Sequence, residues 1–298
     1  MHPLIINPLR KEEEMNMAKL PLNGKLLGHV FEAVDVSWDH KDTILYALGV
    51  GAKPADQLEF VYEGRGPKVL PTFAVIPGGR GMIGAMENID LRLEMLLHGE
   101  QAITLKRPIP PRAKAKVYGK IVEVWDKGKA AVIGIESTLE DKDGVLLTTY
   151  ASLFVRGAGG FGGERGPSTE GKNAVPDRAP DAVVSETPLL EQGAIYRLSG
   201  DWNPIHIDPE FAKLGGFNAP FMHGLCTYGF VGRAALKVLC GNDPAKFTSM
   251  TGRFADRVEF GDTIVTKVWK TSPGEAIIQA ETQKGNIVLS QGKVTYSA

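Results

Sequence analysis

Residues 196–228 concentrate the side chains able to do acid–base chemistry. Asp201, Asn203 and His206 follow one another as D-x-N-P-x-H, and His223-Gly224 stands further on at the head of an apolar run. A proline pushes the residue before it towards extended conformations, so Asn203-Pro204 forbids one continuous helix through acid and base. Both side chains are therefore predicted on an irregular loop, where a rigid scaffold commonly displays functional groups. A carboxylate and an imidazole there can grip one water and exchange its proton. Histidine's ordinary pKa of about 6.5 suits it to act as base and then as acid. Asn203 can orient the carboxylate or the water through its amide. Gly224 is predicted at a helix start, where backbone N–H groups lack partners and the dipole is positive. Its amide is the candidate oxyanion donor, and glycine lets a ligand approach closely. His223 is expected to support that loop without moving a proton. Each residue also has a blander reading: Asp201 as an Asx turn, His206 as a partner of Asp208, and 224–240 as core.

Taken whole, the string resembles the signature of the hydratase 2 family, the (R)-specific enoyl-CoA hydratases. There YRLSGD-x-NP-[LI]-H is followed by DP and then HGLCT, and every named position is present here. The first half resembles the family through ILYALGVGA (44–52), FVYEG (60–64), LPTF (70–73), LLHGEQ (96–101) and WDKGKA (125–130). RGAGGFGG, from 156, does so as well. The resemblance implies a double hot-dog fold of the α+β class, two antiparallel sheets each wrapped around a helix. It implies a hydro-lyase reversibly adding water to trans-2-enoyl-CoA to give (3R)-3-hydroxyacyl-CoA, in fatty-acyl or steroid side-chain β-oxidation. A homodimer is implied, with no metal and no cofactor beyond the coenzyme A carried by the substrate.

The same resemblance implies that His98 and Gly99 touch coenzyme A and that Glu63 supports activity. Arg253-Phe254 matches the family's RF before the last meander and would contact CoA or substrate, Arg253 pairing with a CoA phosphate. Phe221 and Met222, where the family usually has Ile-Leu, would form a wall of the acyl pocket. Residues 255–261 read ADRVEFG where the family usually has a Pro-Val-x-Pro-Gly turn, which alters the loop beside the expected CoA entrance. Residues 78–93 match no family motif and are expected to shape the acyl site. An acyl-CoA thioesterase or a non-catalytic acyl-CoA binding module are the alternatives. Thioesterases of this architecture typically use an acidic residue on the central helix, and 224–240 holds none.

The elements that must position these groups fit a chain of 298 residues, long for one core and comfortable for two. A net charge of −1 provides no basic field for nucleic acid or an anionic membrane. Cys226 and Cys240 are the whole thiol inventory, which fits a reducing compartment without a disulfide framework. The first residues place an apolar patch before three glutamates, the wrong order for a secretory signal, and the last three are not an SKL-type address. A cytoplasmic protein is expected, peroxisomal if eukaryotic.

Residues 31–37 read as a strand, 39–48 as a helix, and 58–63 as an extended piece. An apolar segment at 69–76 is expected to turn helical after Pro71 and to be interrupted by Gly78-Gly79-Arg80-Gly81. Runs at 113–125, 130–139 and 145–155 are rich in β-branched residues and separated by turn formers, including Asp143-Gly144, which predicts an antiparallel meander. The stretch 157–188 has a connector's composition. Its Gly157-x-Gly159-x-x-Gly162 matches a dinucleotide fingerprint by letter, but no amphipathic helix follows to hold a phosphate. Thr187-Pro188 is expected to open a helix reaching about 198. A second meander is expected at 263–270, 275–284 and 287–296.

The halves echo one another at an offset of 150, Tyr46-Ala-Leu48 against Tyr196-Arg-Leu198. On that alignment Asp201 falls opposite Gly51 and His206 opposite Asp56, so one site per chain is expected. The predicted units are an extension at 1–23, a non-catalytic repeat at 24–156, a linker at 157–186 and the catalytic repeat at 187–298.

Overall fold

A computed structural model describes residues 19–92 and 95–297; most of the expected 1–23 extension lies outside them. The first half runs β1 (Val34–Trp38), α1 (His40–Gly49), α2 (Pro54–Val61), α3 (Val75–Asn88), β2 (Leu96–Leu105), β3 (Ala113–Asp126), β4 (Ala130–Asp141) and β5 (Gly144–Arg156). The second half repeats that order as β6 (Ala182–Glu186), α4 (Gln192–Tyr196), α5 (Pro209–Leu214), α6 (Gly224–Cys240), β7 (Phe247–Phe254), β8 (Ile264–Ser272), β9 (Glu275–Thr282) and β10 (Ile287–Tyr296).

The strands form a single sheet in the order β1-β3-β4-β5-β2-β7-β10-β9-β8-β6. Matching β1 to β6, β2 to β7 and so on, that order reads the same from either end. The two repeats thus meet about a pseudo-twofold axis at the antiparallel β2–β7 pair, in register from Glu100↔Arg253 to Thr104↔Ser249. This seam carries first-half residues to the second-half loop bearing Asp201.

α6 lies against β7, β8 and β10, and its core-facing Cys226, Tyr228, Val231 and Leu236 are buried. Burying such side chains contributes about 1.5–3 kcal/mol each. The same core takes in Tyr46, Phe60 and Phe73 of the first half. A second, smaller core lies under α3, around Ala85, Ile121, Ile133 and Leu153. Among the described residues no helix is long and apolar enough to cross a membrane.

The first-half helix α1 has a capping box, Asp39 as N-cap and Asp42 answering it. Four local expectations are corrected. Residues 58–63 are not extended: α2 starts on Pro54, a residue tolerated in a first turn, and a 3-10 turn at Glu63–Arg65 follows. Gly78 to Gly81 do not interrupt the helix, because α3 runs through them to Asn88. A Cβ on Gly81 would come 2.6 Å from the Ser137 hydroxyl and one on Gly78 2.5 Å from Thr149. These glycines let the helix lie close on the sheet, a packing gain that overrides their propensity cost of about 1 kcal/mol each. Residues 182–186 belong to no connector but form β6 on the sheet edge against β8, and the helix after Pro188 begins only at Gln192. The Gln192 amide is held across the repeat by the carbonyls of Leu48 and Gly49.

The glycine fingerprint has a local occupant. The amides of Gly128, Gly160 and Gly162 all donate to the carboxylate of Asp126. Those bonds lower its pKa, led by the one from Gly160. A nest of backbone N–H groups suited to an anion is filled here by the chain's own side chain.

Candidate active site

Asp201 follows a 3-10 turn at Arg197–Ser199, which Gly200 ends with φ +128, a value glycine tolerates. Beyond it the Asp201 carboxylate accepts from the Asn203 N–H, and the Asn203 side chain accepts from Ile205 N–H. Asn203 thereby caps a single 3-10 turn, Pro204–His206, which presents His206. The Asn203 amide oxygen is spent on shaping that turn. Asp208 caps α5 through Glu210 and Phe211 N–H, so its carboxylate is engaged there and not with His206.

His206 Nδ1 lies 2.9 Å from the Phe221 carbonyl. A carbonyl can only accept, so Nδ1 carries the proton and Nε2 is left with a free lone pair in the neutral ring. His223 is 1% exposed, and its Nε2 donates to the Asp201 backbone carbonyl at 3.3 Å. The His206 and His223 rings stack at 3.9 Å. One ligand-type atom from each of Asp201, His206 and His223 lies within 4.8 Å of the others. A single water spans such a gap, since each hydrogen bond covers about 2.8 Å. The same three residue types can ligate a divalent ion, a convergence that the D-x-N-P-x-H spacing did not suggest because His223 is remote in sequence.

Burial lowers the pKa of His206, against an upward pull from Asp201. His223 is pushed down to about 4 by burial and then by His206. His98 is also pushed down to about 4 by burial, while the Asp201 charge pulls it up, which places this first-half imidazole in the electrostatic reach of the second-half acid. All three imidazoles are thus held neutral near pH 7.

His98 owes its aim to a bulge. The β2–β5 register slips between His98 and Glu100, at Gly99, and bulges re-aim side chains beside many sites. His98 Nε2 donates to the Glu100 carbonyl, and its ring packs edge-on to Phe254 at 5.0 Å. Phe254 in turn overlies Gly224, where an added Cβ would rest 3.4 Å from the ring. Gly224 is exposed at the first position of α6, whose first internal bonds run from Cys226 and Thr227 N–H to the His223 carbonyl. Its own N–H precedes those bonds, among the helix-start donors that have no partner within the helix.

Other expected site residues sit differently. Arg253 is committed across the seam, to Glu100 at 3.3 Å and to Thr169 at 3.2 Å. Met222 is buried in the main core and forms no wall of the cleft beside His206, which has Pro220 there instead. Phe221 does stand at the site, its ring 5.1 Å from His206. Glu63 is exposed in its 3-10 turn, with no contact placing it beside Asp201. A cleft of about 490 Å³ opens on His206 between Leu190, Pro220, Arg257 and Phe260. Arg257 and Phe260 were not singled out from sequence, and the only signal for them was the departure at 255–261.

Residues 36–157 match the family described as MFE-2 hydratase 2 N-terminal domain, and residues 172–291 match the MaoC like domain. The chain is 38% identical over 277 residues to a protein of Dictyostelium discoideum named probable enoyl-CoA hydratase 2, covering 90% of this chain and 94% of that one. It is 39% identical over 273 residues to the enoyl-CoA hydratase ChsH3 of Mycobacterium tuberculosis, covering 89% of this chain and 95% of that one. Among solved structures, a MaoC-like dehydratase from Phytophthora capsici superposes with a TM-score of 0.80 at 29% identity, over 91% of this chain and 96% of that one.

Proposed function

The chain belongs to the hydratase 2 family with the double hot-dog fold, and from that premise we propose that it adds water reversibly to trans-2-enoyl-CoA, giving (3R)-3-hydroxyacyl-CoA. The observation that carries this reading is the gap between Asp201 and His206, of a size for one water, which also holds a ring atom of His223, the residue just before the first position of α6 at Gly224.

In this reading the water is held by the Asp201 carboxylate and by His206 Nε2, whose lone pair is free because Nδ1 is tied to Phe221. As the water oxygen attacks C3, His206 takes its proton. Negative charge grows on the thioester oxygen and is met by the Gly224 N–H and the positive end of α6. A proton is then delivered to C2 from the same pair, which restores neutral His206. His98 and Phe254 form the wall beside Gly224 that orients the thioester, and Gly99 allows close approach. The steps need no metal or redox cofactor, so dialysis against a chelator should leave turnover unchanged.

The test is hydration of crotonyl-CoA, followed as loss of the conjugated-thioester absorbance, with chiral analysis of the product. An (S)-product would remove the mechanism, and release of free CoA would favour a thioesterase. Binding without turnover across chain lengths would leave only a binding module. The family also suggests a homodimer, to be checked by light scattering on the eluted peak, and a profile over straight, branched and steroid thioesters assigns the acyl group.

A further inference from the structure

Arg257 stands in the loop that departs from the family, yet that loop is firmly placed without its prolines. Met222 N–H donates to the Val258 carbonyl at 2.9 Å, and Phe221 and Glu259 form an antiparallel bridge. Val258 is 1% exposed and turns inward, which leaves its neighbour Arg257 turned towards the cleft. The guanidinium lies over two rings, 5.4 Å from the centre of Phe217 and 5.9 Å from that of Phe221. Stacking of this kind holds a guanidinium flat while leaving its N–H edge free for a planar anion. Its ion pair is a single contact, to Glu259 at 3.3 Å.

Phe221 is the ring that also meets His206. The two stacking distances, 5.9 and 5.1 Å, bound the guanidinium to within about 11 Å of the imidazole. Between them the cleft wall carries Leu190, Ile207 and Phe260 beside the polar Asn218 and Glu259. A ligand in this cleft in reach of His206 therefore meets a partly apolar wall and then a cation that lies over two rings.

Building on the hydratase reading, the geometry points to Arg257 as a specificity residue that binds a carboxylate at the far end of the acyl chain, so that ω-carboxylated enoyl thioesters are preferred substrates. Distance selects this anion. The phosphates of an extended CoA arm lie about 20 Å from C3, counting some sixteen bonds of about 1.5 Å in zigzag. A carboxylate four to six bonds beyond C3 lies about 5–8 Å away, which fits the span once the ion-pair and hydrogen-bond contacts at each end are added. The neighbouring hollow of about 150 Å³ holds Asp256, Glu259 and Asp262 against Arg257 and Lys284, and Lys284 is itself paired to Asp262. Its three carboxylates repel an anion more than the cleft does, where Glu259 is the one acidic residue in the lining, so the cleft side of Arg257 is the better place for one.

The experiment measures binding of two saturated, unreactive thioesters by calorimetry, octanoyl-CoA and its ω-carboxylated counterpart, beside turnover of the matching 2-enoyl forms. The wild type should bind the diacid form tenfold or more tightly than the monoacid. Arg257→Gln should remove that preference and leave the monoacid within twofold. Arg257→Lys should restore only part of it, because the stacked planar fork is lost. Glu259→Gln should act in the opposite direction, tightening the diacid form by freeing the guanidinium from its competitor. Equal affinity of the wild type for both, or an Arg257→Gln loss shared by both thioesters, overturns the inference. A shared loss that vanishes with pantetheine thioesters would assign the cation to a CoA phosphate instead. Absence of any turnover with a retained diacid preference would strike the hydratase reading alone.

Discussion

The imidazoles of His206 and His223 lie 3.9 Å apart and 32° from parallel, and the second ring hydrogen-bonds the backbone of Asp201, the first ring's acidic neighbour. Two rings at that separation in a desolvated site cannot both carry charge, so His223 stays neutral and steadies the loop from below.

Because burial lowers the His206 pKa, the base form survives below the ordinary value of 6.5. The acid limb of kcat/KM should therefore fall below pH 6.5. Asp201 pulls that pKa up, so in Asp201→Asn the His206 ring should titrate lower still, read from its NMR shift. An acid limb above 6.5 would contradict this.

Folding stability should follow the same groups. His98 and His223 titrate at about 4 when folded, whereas the unfolded chain takes up these protons near 6.5. The unfolded state binds more protons between those values, so stability is full above pH 6.5 and declines as pH falls towards 4. Urea midpoints across that window check it, and His98→Gln should flatten the slope.

Replacing the pair that holds the water should remove rate more than affinity. Asp201→Asn and His206→Gln are each expected to lower kcat by about 10²–10⁴-fold with KM changed only slightly. Steady-state kinetics on crotonyl-CoA decide it. Retention of kcat in either variant would show that another group moves the proton.

Gly224→Pro tests the amide directly. Proline is favoured at a first helical position, and His223 already has φ −57 and ψ 137, the extended backbone that a following proline requires. The helix should persist while the N–H is lost, with kcat down by about 10²–10³-fold. Gly224→Ala keeps the N–H and adds only a methyl against Phe254, so it separates crowding from donor loss. Equal damage in both would refute the oxyanion role.

Arg233 ties the central helix to both repeats. Its guanidinium donates to the Val50 carbonyl, to Gln57 Oε1 and to Glu186 Oε1, and its side chain is 4% exposed. Arg233→Met leaves three acceptors unpaired and should destabilise by about 3 kcal/mol or more. Urea denaturation measures it, and a double-mutant cycle with Glu186→Gln should show coupling.

Much of this chemistry was legible along the chain because it is local. D-x-N-P-x-H dictates a loop through the geometry of one proline, the helix read at 39–48 is α1, and the first-half meander follows from β-branched runs and their turns. The helix through Gly78 to Gly81 was not legible, since those glycines answer to Ser137 and Thr149 on distant strands. Nor could the fingerprint at 157–162 reveal that Asp126 already fills it.

By itself, then, the order of residues singled out Asp201 and His206 as candidates for acid–base work and showed the repeat of which only the second copy holds that pair. Only the tertiary structure decided that His98 crosses from the other repeat, that His223 stacks on His206, that Arg253 is spent on Glu100 and that Arg257 faces the cleft. The physical reason is that these relations depend on the register of the β2–β7 seam and on a loop clasped by a bridge, distances set in space between residues far apart along the backbone.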